Sequence, residues 1–252
     1  TNRFGIERVC SNNCRDGTQE LLDNYVKEYH RLRRDGVINE DILKLDINKL
    51  VEEENGGKPI KVVANLPYYI TTPILFKLLE DENKIDTITV MIQKEVADRF
   101  VAKPNTKDYN ALSVLIQYFT NAEKLFDVSP NAFIPAPKVS SSVIHLSYKD
   151  KVSLSGDDLT FFLKFNRNIF KQRRKTLVNN ICTSFNISKE SAAKVLLDNG
   201  FKDTIRSEAL SVEEIVNLNQ EVANLVKEND RIMAMKVSQL GLKPEDKDLD
   251  NS

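Results

Sequence analysis

Cysteine is scarce in this chain of 252 residues, which has only Cys10, Cys14 and Cys182. Three thiols without a CxxC pair build neither a disulfide framework nor a zinc site, and they fit a reducing cytoplasm. Glycine is sparse too, at Gly5, Gly17, Gly36, Gly56, Gly57, Gly156, Gly200 and Gly241. No two of these stand in GxG spacing, so no glycine-rich nucleotide loop can be read. No apolar run approaches the roughly 18 residues that cross a bilayer, and the N-terminus has no apolar signal core, so neither membrane insertion nor export is expected. Charge of one sign is not in excess either, with 36 Lys and Arg against 37 Asp and Glu. Any attraction to nucleic acid must therefore come from local clustering. His30 and His145 are far apart without a third ligand, so metal binding and nucleophilic catalysis are not indicated, and His145 in an alternating strand reads as structural.

What the chain does have is a 41% hydrophobic content, enough for a sizeable core in one large domain or a large one with a small one. Leu21, Leu22, Tyr25 and Tyr29 predict a helix over 18–33. From Val37 short apolar runs alternate with helical stretches, the pattern of an α/β sheet. Strands are expected at Val37–Ile38, Val62–Leu66, Ile85–Ile92 and Val139–Tyr148. Thr72-Pro73 reads as a helix start, with Ile74, Leu75, Leu78 and Leu79 inward. Further helices are expected through Glu95–Val101 and Ala111–Tyr118, then an extended proline loop, Phe133-Ile134-Pro135-Ala136-Pro137. Around 150–156 the composition turns polar, and beyond it the pattern is helical only, over 157–171, 173–185, 188–199 and 211–235. The domains expected are 1–150, a helical 151–242, and a charged, disordered tail over 243–252.

The most informative residues are Asn65-Leu66-Pro67-Tyr68-Tyr69-Ile70, at the end of the Val62–Leu66 strand. An exocyclic amine on adenine is a poor nucleophile because its lone pair is conjugated into the ring. Acceptors around its hydrogens favour the pyramidal, reactive geometry, and orientation lowers the entropic part of the barrier. The Asn65 side-chain oxygen and the Leu66 carbonyl can be two such acceptors. Pro67 has no donor and fixes the turn, and Tyr68 can stack on the base. As a bare tetrapeptide, the stretch serves equally well as a strand-to-helix turn with a proline stop and two core tyrosines.

Four further motifs stand in order around it: Met91-Ile92-Gln93-Lys94-Glu95-Val96-Ala97, Asn110-Ala111-Leu112-Ser113-Val114, Phe133 to Val139, and Gln172-Arg173-Arg174-Lys175-Thr176-Leu177. Together with Val63 to Pro73 they resemble the ribosomal RNA adenine dimethyltransferases over about residues 37–228. That resemblance implies a Rossmann-like S-adenosylmethionine methyltransferase sheet with a smaller all-helical C-terminal domain. It implies N6,N6-dimethylation of adenine in small-subunit ribosomal RNA, in ribosome biogenesis, by direct transfer without a metal. Asn65, Leu66, Pro67 and Tyr68 would be the catalytic motif. Tyr68 and Phe133 would sandwich the target adenine, and Asp41, Ile42 and Asn65 would meet the donor. The expected partner is the small-subunit precursor, met by a monomer. A large-subunit methylase of the macrolide-resistance type is the close alternative.

Between Lys164 and Lys175 lie Lys164, Arg167, Lys171, Arg173, Arg174 and Lys175 with no acidic residue. A charge run of this kind is by default a solvated helix face. The resemblance instead implies RNA contact, with Phe161, Phe162, Phe165 and Phe170 packing the opposite side.

The chain departs from the family where the donor should bind. A strand running into a glycine-rich loop and a second strand ending in an acid are both missing. The missing strand would be central, and its absence would expose unpaired backbone and an apolar face. Either a unit of roughly 30 residues is lacking before Val37, or the chain is a relative that keeps RNA binding as a non-catalytic assembly factor.

Overall fold

A computed structural model describes residues 38, 40–80, 84–134, 136–150 and 152–239. The helix expected over 18–33, Val37, the discontinuity expected before it and the tail from Lys243 lie outside these residues. In chain order the elements are α1 (Ile47–Asn55), β1 (Ile60–Asn65), α2 (Thr71–Glu80), β2 (Ile85–Gln93), α3 (Lys94–Phe100), α4 (Ala111–Phe119), β3 (Thr120–Val128) and β4 (Ser141–Tyr148). Next come helices α5 (Gly156–Ile169), α6 (Leu177–Phe185), α7 (Lys189–Asp198) and α8 (Val212–Gln239).

Two compact units divide the chain. One runs to Val101 and resumes over Phe119–Asp150, and the other takes Ala102–Tyr118 and the residues beyond Asp150. The stretch 102–118, which the sequence puts inside the first domain, thus clusters with the helices. Its attachments explain why: the Asn166 Nδ2 donates to the Ala111 carbonyl at 2.8 Å, and the Tyr118 and Phe162 rings lie 4.6 Å apart. Tyr109, fully buried, donates its hydroxyl to the Leu210 carbonyl at 2.9 Å. Burial pushes that phenol above its usual range.

In the first unit the described strands form one sheet in the order β1-β2-β4-β3. β1 and β2 are parallel, and the other pairs are antiparallel. β2 supplies the centre, with Ile88, Val90 and Ile92 at 0% exposure. Truncating one of these isoleucines to alanine costs about 2–5 kcal/mol through lost transfer energy and the cavity left behind. α2 buries Ile74, Leu75, Leu78 and Leu79, as its periodicity predicts. It starts at Thr71, two residues before Pro73, the expected first helical position. Pro73 therefore sits inside the first turn, where no amide needs an intrahelical partner, and Ile74 makes the first such bond, to the Ile70 carbonyl at 3.2 Å.

Three differences from the sequence reading concern the sheet and its surroundings. Ile38 is not part of a strand. α1 is an unpredicted helix, although its signals are present: the Asp46 side chain accepts from the Lys49 amide, and Gly56 closes the helix at φ 59°. β3 is an unpredicted strand along the sheet edge, where Lys124 and Asp127 carry charge and a bulge interrupts the ladder between Lys124 and Phe126. Edge strands carry such charges to block pairing with other chains, and the charges erase the alternation that marks a strand.

The same edge holds an ion network. The Asp127 carboxylate accepts from the Lys94 ammonium and from the Ser142 hydroxyl at 2.7 Å. These two bonds, the first the larger, hold its pKa down at about 2. The unfolded value is near 3.9, so the network adds stability above about pH 4 that is lost as pH falls through about 2. The gap in Tm between the unsubstituted chain and Asp127→Asn should be widest near neutrality and close over that window. A gap constant from pH 7 to pH 2 would contradict the assignment.

Candidate active site

β1 ends where its ladder ends. The Leu66 amide donates to the Met91 carbonyl at 3.0 Å, and Pro67, lacking an N–H, cannot add another rung. The Pro67 carbonyl instead accepts from the Ile70 amide at 3.2 Å and from the Thr71 hydroxyl at 2.9 Å. These two bonds fix the turn from Pro67 into α2, so Tyr68 projects from a defined backbone.

Asn65, Leu66, Pro67, Tyr68, Phe133 and Pro137 line one open cleft of about 280 Å³. That lies near the lower end of ligand pockets, roughly 300 Å³. Its two aromatic residues offer ring faces to a planar ring system. Phe133 reaches the cleft from a short 3₁₀ turn, Pro130–Ala132, capped by the Ser129 side chain. The Asn65 carboxamide is exposed and makes no hydrogen bond to another described residue. The Tyr68 hydroxyl is hydrogen-bonded to Ser141 Oγ at 2.6 Å. Ser141 went unnoticed in the sequence, where it is the middle one of three adjacent serines, Ser140 to Ser142.

Asp41 and Ile42 are not among the residues lining this cleft. Asp41 Oδ1 accepts from the Leu43 amide at 3.0 Å, a local turn, and Ile42 is buried. His145 Nδ1 pairs with Thr89 Oγ1 at 2.8 Å across β2 and β4, a role within the sheet. Burial pushes the Cys182 thiol up, away from the reactive thiolate. Among the described residues no cluster of His, Cys, Asp or Glu could hold a metal, and no helix is long and apolar enough to cross a membrane.

In the helical unit, Lys171, Gln172, Arg173, Arg174 and Lys175 line a second cleft of about 470 Å³. Both helices expected here are shorter than the sequence suggests. α5 stops at Ile169 and α6 starts at Leu177, so Lys171 to Lys175 form a loop, while Lys164 and Arg167 stay on the exposed face of α5. Thr176 ends the loop by capping α6. Lys164 Nζ lies 5.7 Å from the Phe185 ring centroid, a cation–π contact. Phe162 and Phe165 are buried beneath α5, as expected, and Phe170 packs edge-on against Tyr109.

The loop is held from below. Asn180 Nδ2 donates to the carbonyls of Ile169 at 2.8 Å and Gln172 at 3.3 Å, and the Ser207 hydroxyl donates to Ile169 O at 2.6 Å. Arg173 is turned back to Glu208 at 3.2 Å and to the Lys107 carbonyl at 2.9 Å. Lys171, Arg174 and Lys175 remain exposed around it.

Removing the buried Asn180 amide takes one hydrogen bond from each of the Ile169 and Gln172 carbonyls, which keep only the Ser207 hydroxyl and the Lys175 amide as donors. Asn180→Ala should lower the unfolding free energy by about 1–3 kcal/mol. In urea the midpoint should fall with an unchanged slope, and an unshifted midpoint would refute the role of Asn180 as the floor of the loop.

Comparison with known proteins places these features. The family model described as "Ribosomal RNA adenine dimethylase" matches residues 15–224. A protein of Lachnoclostridium phytofermentans named "Ribosomal RNA small subunit methyltransferase A" is 50% identical over 184 residues, 72% of this chain and 63% of that protein's length. The chain thus spans less than two thirds of this relative. Among solved structures, a dimethyladenosine transferase from Plasmodium falciparum superposes with a TM-score of 0.60 at 23% identity, covering 80% of this chain and 79% of the other. The 23S rRNA methyltransferase ErmE gives 0.55 at 21% identity, covering 79% and 78%. These two likenesses establish the Rossmann-like α/β fold and nothing finer.

Proposed function

Because the chain belongs to the ribosomal RNA adenine dimethylase family, we propose that it engages an adenine of small-subunit ribosomal RNA for dimethylation at N6, with the base held at the end of β1. The observation that carries this reading is the cleft itself, lined by two aromatic residues, Tyr68 and Phe133, and by Asn65, whose carboxamide makes no hydrogen bond to another described residue. Stacking on such rings contributes about 1–3 kcal/mol per base and requires the base to leave its helix. The Asn65 oxygen and the Leu66 carbonyl accept from the exocyclic amine and hold its lone pair out of conjugation. No general base is needed, because the proton leaves once the nitrogen has become cationic.

The basic loop supplies the docking. Lys171, Arg174 and Lys175, together with Lys164 and Arg167 on α5, contact phosphates of a structured RNA. Arg173 contributes by holding the loop in shape. Recognition then resides in the RNA shape that this surface accepts, and the extruded base is read in the cleft.

The methyl donor implied is S-adenosylmethionine, and the described residues do not by themselves make up its site. No GxG occurs in the sequence, and β1 pairs with β2 alone among the described strands. A second reading is a non-catalytic RNA-binding factor in subunit assembly. The likeness to the large-subunit methylase is one of fold only.

Calorimetric titration of the chain with S-adenosylmethionine separates the two readings. Saturable binding is expected for the enzyme, and its absence would leave the assembly factor. Where the donor binds, Asn65→Ala should abolish methyl transfer to precursor subunits with RNA affinity unchanged, and full retained activity would sink the role given to Asn65. The triple variant Lys171→Ala, Arg174→Ala, Lys175→Ala should flatten the slope of log K against log salt by about 2.7 at most, some 0.9 per lost phosphate contact. An unaltered slope would exclude the loop from the RNA contact.

A further inference from the structure

The geometry points to Ser141 as the residue that positions the Tyr68 ring in the cleft. The proposal rests on the reading that Tyr68 stacks on the target base.

β4 opens with two adjacent serines, Ser141 at 1% exposure and Ser142 at 0%. Successive strand residues point to opposite faces, so the two hydroxyls serve different sides of the sheet. Ser142 donates to Asp127 on one side. Ser141 bonds the Tyr68 hydroxyl at 2.6 Å on the other. A buried hydroxyl without a partner costs about 1–3 kcal/mol, and Tyr68 is the side chain that satisfies Ser141.

Tyr68 needs such an anchor. The turn fixed by the Pro67 carbonyl sets its backbone, but its ring is 36% exposed and keeps two free torsions that the turn does not restrain. A hydrogen bond at the far end of the ring removes that freedom. The sheet register makes the bond possible, because Ser141 pairs with Gln93, two residues beyond the Met91 whose carbonyl takes the Leu66 amide. One end of the sheet thus holds both the backbone before Tyr68 and the tip of its side chain. The hydroxyl is consequently committed to Ser141, and the base meets the face of the ring.

The test uses the full chain and 2-aminopurine riboside monophosphate, whose fluorescence is quenched by stacking. The chain has no tryptophan to interfere with the signal. Tyr68→Ala should reduce quenching to the part that Phe133 supplies. Ser141→Ala and Tyr68→Phe, which break the same bond from its two ends, should each weaken binding about three- to tenfold. The double variant should be no weaker than either single one, and Ser141→Thr, which keeps the hydroxyl, should restore binding. Tyr68→Phe leaves the buried strand untouched and so stands in if Ser141→Ala fails to fold. Additive losses, or unchanged binding in both single variants while Tyr68→Ala weakens it, would overturn the positioning role alone. Unchanged quenching in Tyr68→Ala would overturn the stacking reading, and the role of Ser141 with it.

Discussion

The hydrogen bond from the Leu66 amide to the Met91 carbonyl is the point at which the β1 ladder stops and the turn into the candidate site begins. A parallel ladder continues for as long as each strand supplies donors and acceptors in register, and Pro67 removes a donor at the next step. The chain must then turn, and the Pro67 carbonyl, freed from the sheet, gathers Ile70 and Thr71 into the first turn of α2. Asn65 and Leu66 are left at the carboxyl end of a strand, the place where open α/β sheets bind their ligands. Tyr68, Phe133 and Pro137 can line one cleft because β1 and β2 end, and β4 begins, at that edge.

That arrangement places an unusual demand on β1. Parallel strands are ordinarily covered on both faces and flanked on both edges, yet Val63 is 69% exposed and, among the described strands, only β2 pairs with β1. A valine at this exposure forgoes most of the roughly 1.5–3 kcal/mol that burial of such a side chain contributes.

Local patterns made most of the first unit legible. β2 and β4 show apolar alternation, α2 shows its 3.6-residue stripe, and the motif segment announces itself by a proline after an apolar run. What escaped depended on partners distant in sequence. β3 is a strand because β4 supplies its ladder, and its charges hide the pattern. Arg173 to Lys175 read as helix because arginine and lysine are good helix formers, but Thr176 caps α6 later, and Asn180 and Ser207 hold the carbonyl end of α5 in a loop. α1 was legible in principle through Asp46 and Gly56, cap residues that bracket Ile47 and Val51. Ser141 could not have been read at all, since its partner lies 73 residues away.

In the proposed reading, affinity and selection draw on different forces, and the composition of the chain shows why they are separated. A net charge of −1 gives no diffuse pull toward RNA, so phosphate attraction rests on a local cluster, the exposed Lys171, Arg174 and Lys175 of the loop with Lys164 and Arg167 on α5. Such attraction weakens with salt and is blind to sequence. The cleft at β1 is instead built from aromatic and amide groups, whose contacts with a base are short-ranged and nearly indifferent to salt. The basic loop can hold many RNAs loosely. Only an RNA whose shape delivers an unstacked adenine to Tyr68 and Phe133 gains the second contribution. Raising the salt concentration should therefore weaken every complex while preserving the advantage of the correct one.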